Sequence, residues 1–333
     1  MDIDIVVLWV DGSDPEWQKE KAKYSGKRLD DTNSVNRFRD WGLMPYWFRA
    51  IETYIPWVRT IHFVTCGHVP AFLNLDHPKL HHVTHQEFMP EESLPTFNAS
   101  AIEMNVHRIP GLAEHFLFFN DDMFIGRPLK PETFFKNGLP CVNGAEVIIA
   151  PIRITEAARH MPFNDIGVIN AHFKKKTQLK KNRGKYIHPC YGLGDNIKTI
   201  AARIAYPNFF IGFRNKHTVA PFCKSTFEEI WEAEPELLME TSCSRFRAMS
   251  NVNQWLALWW QVASGRFAPA RVDNTTYMVS KDSIDQICGV IRGRKHDMFC
   301  LNDPNWEVDF DTLSARLHEA FEAILPEKSS FEK

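Results

Sequence analysis

The sequence predicts an α/β protein with a mostly parallel sheet flanked by helices and a more helical C-terminal half. Short continuous apolar runs rich in β-branched and aromatic residues occur early in the chain, as in buried strands. These runs alternate with segments of helical periodicity, which is typical of parallel sheets. Acidic turns directly follow two of the runs, at the sheet edge where such folds bind ligands.

The first half of the chain contains the alternating elements, and Gly, Pro and Asp residues separate them. Apolar side chains recur at helical spacing from Met44 to Ile55, and Pro56 ends this predicted helix. Ser100 and Glu103 have the spacing of a capping box, which predicts a second helix ending at Pro110. The predicted strands lie at residues 5–10, 60–65, 82–85 and 116–119.

The second half has more helical periodicity and one basic run. Amphipathic helices are predicted at 252–263 and 313–324, and a further strand at 145–154. A soft boundary is placed near residue 160, although no linker composition marks it. The basic run is typical of a solvated face, but it could instead meet anionic lipid headgroups or a polyanionic acceptor. It comprises Lys174, Lys175, Lys176, Lys180, Lys181, Arg183 and Lys185, with no acidic residue among them.

Composition excludes several classes of protein. The chain has 333 residues, 44% of them hydrophobic, and a formal net charge of −2, which excludes global disorder and disfavours a nucleic-acid partner. Seven cysteines without a C-x-x-C pair indicate neither a disulfide framework nor a cysteine zinc site. The N-terminus lacks a signal-peptide pattern, and no apolar helix reaches the ~20 residues of a membrane span. We therefore expect a cytoplasmic protein, with at most peripheral contact with the inner face of the membrane.

The acidic pair Asp121 and Asp122 follows the strand predicted at 116–119. Adjacent carboxylates at a ligand-binding edge suit Mg²⁺ or Mn²⁺, which can also hold phosphate oxygens. The alternative is a turn or a helix cap, because Asn-Asp clusters commonly form turns.

The turn after the first predicted strand has two compatible interpretations. Gly12 would let the backbone N–H groups of Asp11, Ser13 and Asp14 approach a phosphate. The segment also resembles a helix start, with Asp14 as cap and a proline at the first helical position, and this interpretation is favoured on the turn alone. Further along lie Arg37, Arg39 and Asp40. The two arginines could neutralise a diphosphate, or the three residues could form a solvated loop.

Glu103 and His107 are four residues apart, so one predicted helix places them on the same face. A carboxylate beside an imidazole can orient the ring and raise its basicity, which suits a general base. The alternative is a capping glutamate and a partly buried histidine. His217, before a helix near Thr226, and Asn302-Asp303, before the last helix, are weaker candidates.

Taken in order, the motifs of this chain resemble the Stealth family of sugar-1-phosphate transferases over nearly its whole length, from Asp4 to about Phe331. This family includes bacterial capsular polysaccharide phosphotransferases and the catalytic subunit of lysosomal N-acetylglucosamine-1-phosphotransferase. All four family regions occur in order. Their segments include residues 5–17, 37–42, 84–86, 94–98, 101–103, 107–112, 119–122, His217 and 300–303.

The resemblance implies a nucleotide-sugar transferase-like fold and a specific reaction. A nucleoside-diphosphate sugar such as UDP-GlcNAc would donate its sugar together with the attached phosphate. An oligosaccharide or lipid-linked glycan would accept it through a hydroxyl group, a phosphodiester would form and a nucleoside monophosphate would leave. The expected parts are an α/β part at residues 1–160, which binds the nucleotide sugar, and a helix-rich part at 161–333, which completes the active site, and we expect both to belong to one integrated catalytic domain. Expected partners also include the membrane surface and capsule-assembly proteins.

The resemblance also assigns roles to residues. His107, oriented by Glu103, is expected to be the base, with Asp11, His85 and His217 as rivals, and the cofactor is Mg²⁺ or Mn²⁺. The expected catalytic residues are His107, Asp11, Arg39, Glu103 and His217, and the metal ligands are Asp121, Asp122 and Asp303. Substrate binding is expected from Gly12, Ser13, Asp14, Arg37, Asp40, His85, Arg108, Asn120 and Asn302.

Two positions depart from the family pattern. Cys66-Gly67 stands where members often carry Asn-Gly, and Lys224 stands where they often carry Arg, so any phosphate contact there would lack a bidentate fork. The chain resembles the compact bacterial members, which implies capsule or exopolysaccharide synthesis. Two other functions remain open: a metal-dependent glycosyltransferase that moves only the sugar, and a non-catalytic subunit that binds a sugar nucleotide.

Overall fold

The apolar runs of the sequence form the strands of a central sheet. A computed structural model describes residues 1–25, 38–150, 157–304, 306 and 308–333. Its strands are β1 (Ile3–Leu8), β2 (Ile61–Thr65), β3 (Leu80–Thr84), β4 (His115–Asn120), β5 (Met123–Ile125), β6 (Phe135–Lys136), β7 (Leu139–Val142), β8 (Ala220–Cys223), β9 (Ala268–Pro269), β10 (Asn274–Met278) and β11 (Met298–Asn302).

Helices accompany these strands along the whole chain. They are α1 (Pro15–Ser25), α2 (Met44–Tyr54), α3 (Ala99–Glu103), α4 (Ala157–His172), α5 (Lys175–Lys181), α6 (Leu193–Ala205), α7 (Lys224–Ala233), α8 (Pro235–Cys243), α9 (Gln254–Ala263), α10 (Ile284–Arg292) and α11 (Phe310–Glu322). Within the described residues, no helix is both long and apolar enough to cross a bilayer.

The central sheet has the order β3-β2-β1-β4-β8, and its first four strands are parallel. Strand β8 joins the edge antiparallel to β4. The chain places β2 and β3 on one side of β1 and then β4 on the other side. Ligands of α/β sheets bind where the strand order reverses in this way, beyond the carboxyl ends of the strands. Here that place lies beyond Leu8 and Asn120, which pair in register.

A smaller sheet of order β10-β11-β5 brings the end of the chain to the same place. Strand β11 is antiparallel to β5, and the backbone N–H of Leu301 donates to the carbonyl of Asp122 at 2.9 Å. The C-terminal end of β11 therefore lies beside the acidic turn that follows β4. A third sheet has the order β6-β7-β9 and shares no strand with the other two.

Hydrophobic side chains pack on both faces of the central sheet. Alternation along β1 sends Ile5 and Val7 into one core cluster, with α2, α10 and α11, and Val6 and Leu8 into another, with α7 and α9. Burial on both faces explains why these strands are continuous apolar runs. The predicted α/β class, with a parallel-rich sheet between helices, is confirmed.

Several predicted elements have different bounds. The first strand spans 3–8 rather than 5–10. The predicted strand at 145–154 is wrong within the described residues: only a single bridge joins Glu146 to Phe213, and residues 151–154 lie outside the described part. The capping box at Ser100 is also wrong, because Asn98 caps the short helix α3 and the Glu103 carboxylate accepts from the distant Gln254 N–H.

The basic run is not a uniformly solvated face. Lys175 is fully buried, and its Nζ lies 2.7 Å from Oε2 of Glu146. Lys185 donates to the backbone carbonyls of Gly265 and Phe267 at 2.7 and 3.0 Å. Two of the seven cations therefore hold the chain together, while the other five are exposed.

Candidate active site

A cavity of about 420 Å³ lies beyond the carboxyl ends of β1 and β4. It occupies the position that the reversal of strand order predicts, and the end of β11 forms part of its wall. Ten of the predicted site residues line it: Arg39, Asp40, His85, Glu103, Asn120, Asp121, Asp122, His217, Asn302 and Asp303.

The acidic turn after β4 supplies oxygen atoms that lack partners. The buried Oδ1 atoms of Asn120 and Asp122 accept no hydrogen bond from any residue that the structure describes. Burial first, and then the charges of Asp122 and Asp40, raise the pKa of Asp121 well above its usual range. Unpartnered carboxylate and amide oxygens are the donors that Mg²⁺ prefers, so this turn fits the predicted cation.

The Asp303 carboxylate is already bound by the guanidinium of Arg39. The Arg39 guanidinium donates from Nη2 to Oδ1 of Asp303 at 2.6 Å and from Nε to Oδ2 at 2.9 Å. This fork joins the chain before α2 to the end of β11 across the cavity. The geometry therefore favours Asp303 as the residue that positions Arg39, rather than as a ligand of the predicted metal.

His217 reaches the acidic turn from the segment before β8. Its Nε2 lies 3.7 Å from Oδ2 of Asp122 and 3.4 Å from Nδ2 of Asn120. The imidazole is about one third exposed, so it is accessible from the cavity. A weak candidate in the sequence thus becomes the histidine that the fold brings to the acidic turn.

Cys300 completes a group of three potential metal ligands with Asp122 and His217, whose ligand atoms lie within 4.8 Å of one another. Burial, followed by the charge of Asp122, raises the pKa of the Cys300 thiol well above its usual range. Its Sγ–H donates to Oδ2 of Asp122 at 3.1 Å. In this arrangement the Cys300 thiol acts as a hydrogen-bond donor that orients the Asp122 carboxylate.

Glu103 and His107 do not form the predicted pair. Helix α3 ends at Glu103, and His107 lies in a separate 3₁₀ turn at Val106–Arg108. His107 packs against the rings of Phe227 and Trp231, and burial lowers its pKa to about 3. The guanidinium of Arg108 lies over the same Trp231 ring at 4.1 Å. His107 and Arg108 are not among the residues that line the cavity, whereas Glu103 is.

The turn after β1 is occupied by its own hydrogen bonds. The N–H groups of Asp11, Ser13 and Asp14 donate to His68, to the Asp11 side chain and to the Asp11 carbonyl, respectively. The Asp14 carboxylate accepts a hydrogen bond from the N–H of Trp17, so Asp14 caps α1 as predicted.

Gly12 is required for contact within the chain. A Cβ at this position would lie 1.9 Å from the Phe38 carbonyl oxygen. The phosphate-cradle interpretation of residues 11–14 is therefore not supported, and the capping interpretation is. Arg37 lies outside the described residues.

His85 and Asp40 both line the cavity, His85 as a neutral imidazole and Asp40 as a source of negative charge. Burial lowers the pKa of His85 to about 4, so its imidazole is neutral at physiological pH. The Asp40 carboxylate accepts from the N–H of Gly42 at 2.7 Å and contributes negative charge near Asp121. Of the two departures from the family pattern, Cys66 lines the cavity, whereas Lys224 lies 3.8 Å from Glu228 and is not among its lining residues.

Sequence reasoning missed Arg247. Its guanidinium lines the cavity and forms no hydrogen bond or ion pair within the described part of the chain. Burial lowers its pKa, and the charges of Glu103 and Asp122 oppose that shift. Arg247 stands in a polar segment where nothing local distinguishes it from a solvated arginine, so only the fold reveals it.

Two further features of the cavity come from separate parts of the chain. The N-terminus of α9, capped by Asn253, faces the cavity and favours negative charge there. Trp17, Phe38 and Phe97 form an aromatic wall, with ring centroids 5.0 and 5.6 Å from Trp17. The cavity thus combines carboxylates, an arginine without a hydrogen bond to any described residue, and an apolar wall.

Comparison with known proteins identifies the family of this chain. Residues 1–29 match Stealth protein CR1, conserved region 1, and residues 37–142 match Stealth protein CR2, conserved region 2. The chain is 38% identical over 337 residues to the capsular polysaccharide phosphotransferase WcwK of Streptococcus pneumoniae, covering 99% of this chain and 98% of that relative.

Two other relatives are equally similar. The receptor polysaccharide phosphotransferase WefC of Streptococcus oralis is 38% identical over 334 residues, with 99% of each chain covered. The exopolysaccharide phosphotransferase cps2G of Lactiplantibacillus plantarum is 38% identical over 337 residues, covering 100% of this chain and 96% of that relative. The resemblance inferred from the motifs is thereby confirmed: this chain belongs to the Stealth family.

Proposed function

We propose that this protein transfers a sugar-1-phosphate from a nucleoside-diphosphate sugar to a glycan hydroxyl group in capsular or exopolysaccharide synthesis. The observation that carries the proposal is a cavity lined by the Asn120 and Asp122 Oδ1 oxygens and by the Arg247 guanidinium, for which no hydrogen-bond partner occurs among the residues that the structure describes. A diphosphate needs both a cation held by carboxylates and direct cationic contacts. Full-length relatives named as polysaccharide phosphotransferases support the same reaction class.

Asp121, Asp122 and the Asn120 side-chain oxygen would hold Mg²⁺, or Mn²⁺ in its place. Such an ion supplies charge neutralisation at the phosphate oxygens. The raised pKa of Asp121 supports this assignment, because a carboxylate without a counter-charge gains most from a bound cation. Cys300 positions the Asp122 carboxylate through its thiol hydrogen bond.

Arg247 would hold the diphosphate, and Arg39 would not. The Arg247 guanidinium donates no hydrogen bond to any residue in the described part of the chain, whereas two donors of Arg39 already bind Asp303. The N-terminus of α9 adds a favourable dipole for the same negative charge. We assign Arg247 to the donor phosphates and Arg39 to a fixed position at the edge of the cavity.

His217 is the base that the geometry favours. In the reaction, an acceptor hydroxyl oxygen forms a bond to the phosphorus next to the sugar. The bond from that phosphorus to the bridging oxygen breaks, and the nucleoside monophosphate leaves with the bonding electrons. The hydroxyl proton would pass to Nε2 of His217, which is accessible from the cavity. His107 is buried between aromatic rings and holds its proton weakly.

The aromatic wall would receive the nucleobase of the donor. Trp17, Phe38 and Phe97 offer flat apolar surfaces in the cavity wall, and bases stack on such rings. The acceptor, an oligosaccharide or a lipid-linked glycan, would enter beside His217. These assignments place base, diphosphate and acceptor hydroxyl along one cavity.

The test follows the phosphate next to the sugar. Purified protein is incubated with a panel of nucleoside-diphosphate sugars labelled in that phosphate and with a glycan acceptor. Sugar-1-phosphate transfer moves the label into the glycan and releases nucleoside monophosphate. If the label stays in a released nucleoside diphosphate, the chain is a glycosyltransferase and the proposal is wrong. Arg247→Gln should reduce transfer, with Arg271→Gln, an exposed arginine outside the cavity, as the matched control.

A further inference from the structure

Helix α6 exposes its apolar face. Leu193, Ile197, Ile200 and Ile204 follow the spacing of one helical face, and their exposed fractions are 78, 55, 45 and 78%. Tyr206, just after the helix, is half exposed. A helix at the surface of a monomeric protein normally buries such a face, so this orientation requires an explanation.

Polar contacts fix α6 in this orientation. The Asp195 carboxylate pairs with Arg214 at 3.1 Å, and the Thr199 hydroxyl accepts from the N–H of Glu146 at 3.0 Å. The Asn196 side chain donates to the carbonyl of His188 at 2.9 Å. The hydrophilic side of the helix therefore faces the protein, and rotating the helix to hide its isoleucines would break these contacts.

The chain segment that contains α5 and α6 is strongly basic. Residues 166–227 contain twelve Lys or Arg and one acidic residue, Asp195, so this segment carries a formal charge of +11. Helix α5 lies against the end of α6, because Lys175 donates to the carbonyl of Tyr206 at 3.0 Å. The exposed lysines of α5 are Lys176, Lys180 and Lys181. An apolar face and a group of cations thus occur together.

We propose that α6 and α5 form a membrane-binding surface for anionic lipid bilayers. The apolar face of α6 would enter the boundary between headgroups and acyl chains, and the α5 lysines would lie among anionic headgroups. Charge favours this occupant over a second copy of the chain, because a second copy would bring the exposed lysines of both α5 helices together. The surface goes beyond the proposed reaction and depends on none of its steps.

The test measures binding of the full chain to vesicles by flotation. Vesicles of phosphatidylglycerol mixed with phosphatidylcholine should bind the protein, and pure phosphatidylcholine vesicles should bind it far less. The double substitution Ile197→Ser/Ile204→Ser should weaken binding at least about tenfold. The triple substitution Lys176→Gln/Lys180→Gln/Lys181→Gln, which leaves the buried Lys175 in place, should weaken it by about a hundredfold at low salt.

The matched control is Leu75→Ser, which removes an exposed apolar side chain between β2 and β3. It should bind vesicles as the parent protein does, and all variants should keep their activity on a short water-soluble acceptor. Absence of binding to anionic vesicles, or equal binding by the parent and the Ile197→Ser/Ile204→Ser variant, overturns the proposal. So does a dimer in solution that this variant converts to monomer, because a second copy would then cover the face.

Discussion

The pKa of Asp121 connects the charge of the cavity with the pH dependence of the free energy of unfolding. Its pKa is raised in the folded protein, so the unfolded chain loses this proton first as pH rises. The protonated carboxyl therefore makes its whole contribution to stability at pH values below the pKa of Asp121 in the unfolded chain. This contribution is lost as the pH rises through the pKa of Asp121 in the folded protein. At neutral pH, a bound cation should replace the proton, and Mg²⁺ at a hundredfold its dissociation constant should stabilise the parent by about 2.7 kcal/mol.

Thermal unfolding with and without Mg²⁺ at neutral pH measures this effect. Asp121→Asn should gain little from Mg²⁺, and its turnover should fall at least about a hundredfold. Asp282→Asn, an exposed aspartate outside the cavity, is the control and should respond to Mg²⁺ as the parent does. Equal Mg²⁺ stabilisation of Asp121→Asn and the parent would contradict the metal assignment.

His217 and His107 can be separated by kinetics. His217→Gln should lower kcat by ~10²–10⁴ while the KM for the donor stays nearly constant, because only the proton acceptor is lost. His107→Phe should retain kcat, since a phenyl ring can replace the imidazole between Phe227 and Trp231. The reverse result, with kcat lost only in His107→Phe, would restore His107 as the base.

At the scale of elements, the buried ion pair of Lys175 and Glu146 joins α5 to the segment after β7. Both side chains are fully buried, and removal of one partner leaves an uncompensated charge in the interior. We expect Lys175→Met to reduce the free energy of unfolding by about 3–5 kcal/mol. The double substitution Lys175→Met/Glu146→Gln should recover part of that loss.

Denaturant unfolding of the parent, Lys175→Met, Glu146→Gln and the double variant gives the coupling energy of the ion pair. Lys176→Met, one residue away and exposed, is the control and should stay close to the parent. If Lys175→Met costs no more than Lys176→Met, the ion pair does not stabilise the fold.

At the scale of the whole molecule, the two predicted parts share their sheets. Strand β8 completes the sheet begun by β1 to β4, and β11 pairs with β5. Arg49 of α2 is buried and binds Glu332 near the end of the chain at 2.9 Å. We expect residues 1–160 expressed alone to be insoluble or unfolded, because β4, β5 and α2 would lose these partners.

Co-expression of residues 1–160 with 161–333 should recover soluble protein as a complex of the two fragments. Far-ultraviolet circular dichroism and size-exclusion chromatography distinguish the outcomes. A stable, monomeric 1–160 fragment would establish a true domain boundary near residue 160.

Local patterns predicted the parts of this molecule that depend on neighbours in sequence. The apolar run before Asp121 identified β4, and the direction of parallel strands placed the acidic pair at the ligand edge. The spacing of Glu103 and His107 predicted that one helix carries both residues, and this is wrong. Helix α3 ends at Glu103, whose carboxylate contacts the distant Gln254.

Other site features depend on contacts across long stretches of chain. The Arg39–Asp303 fork spans 264 residues, and no periodic signal announces such a contact. Arg247 likewise becomes a candidate ligand only when folding places it near Glu103 and Asp122, with no hydrogen bond to a described residue. Local sequence therefore predicted the sheet edge, its carboxylates and Arg39, but neither the pairing of Arg39 with Asp303 nor the position of Arg247.

The basic segment around α5 and α6 has a practical consequence for handling the protein. The whole chain carries a formal charge of −2 while residues 166–227 carry +11, so the remaining residues carry −13. A molecule divided in this way presents opposite charges to its surroundings in different places. In ion-exchange chromatography near neutral pH it should be retained by both cation- and anion-exchange resins, although its average charge would favour neither strongly. Elution from the cation exchanger should move to lower salt in the Lys176→Gln/Lys180→Gln/Lys181→Gln variant, while elution from the anion exchanger should move to higher salt.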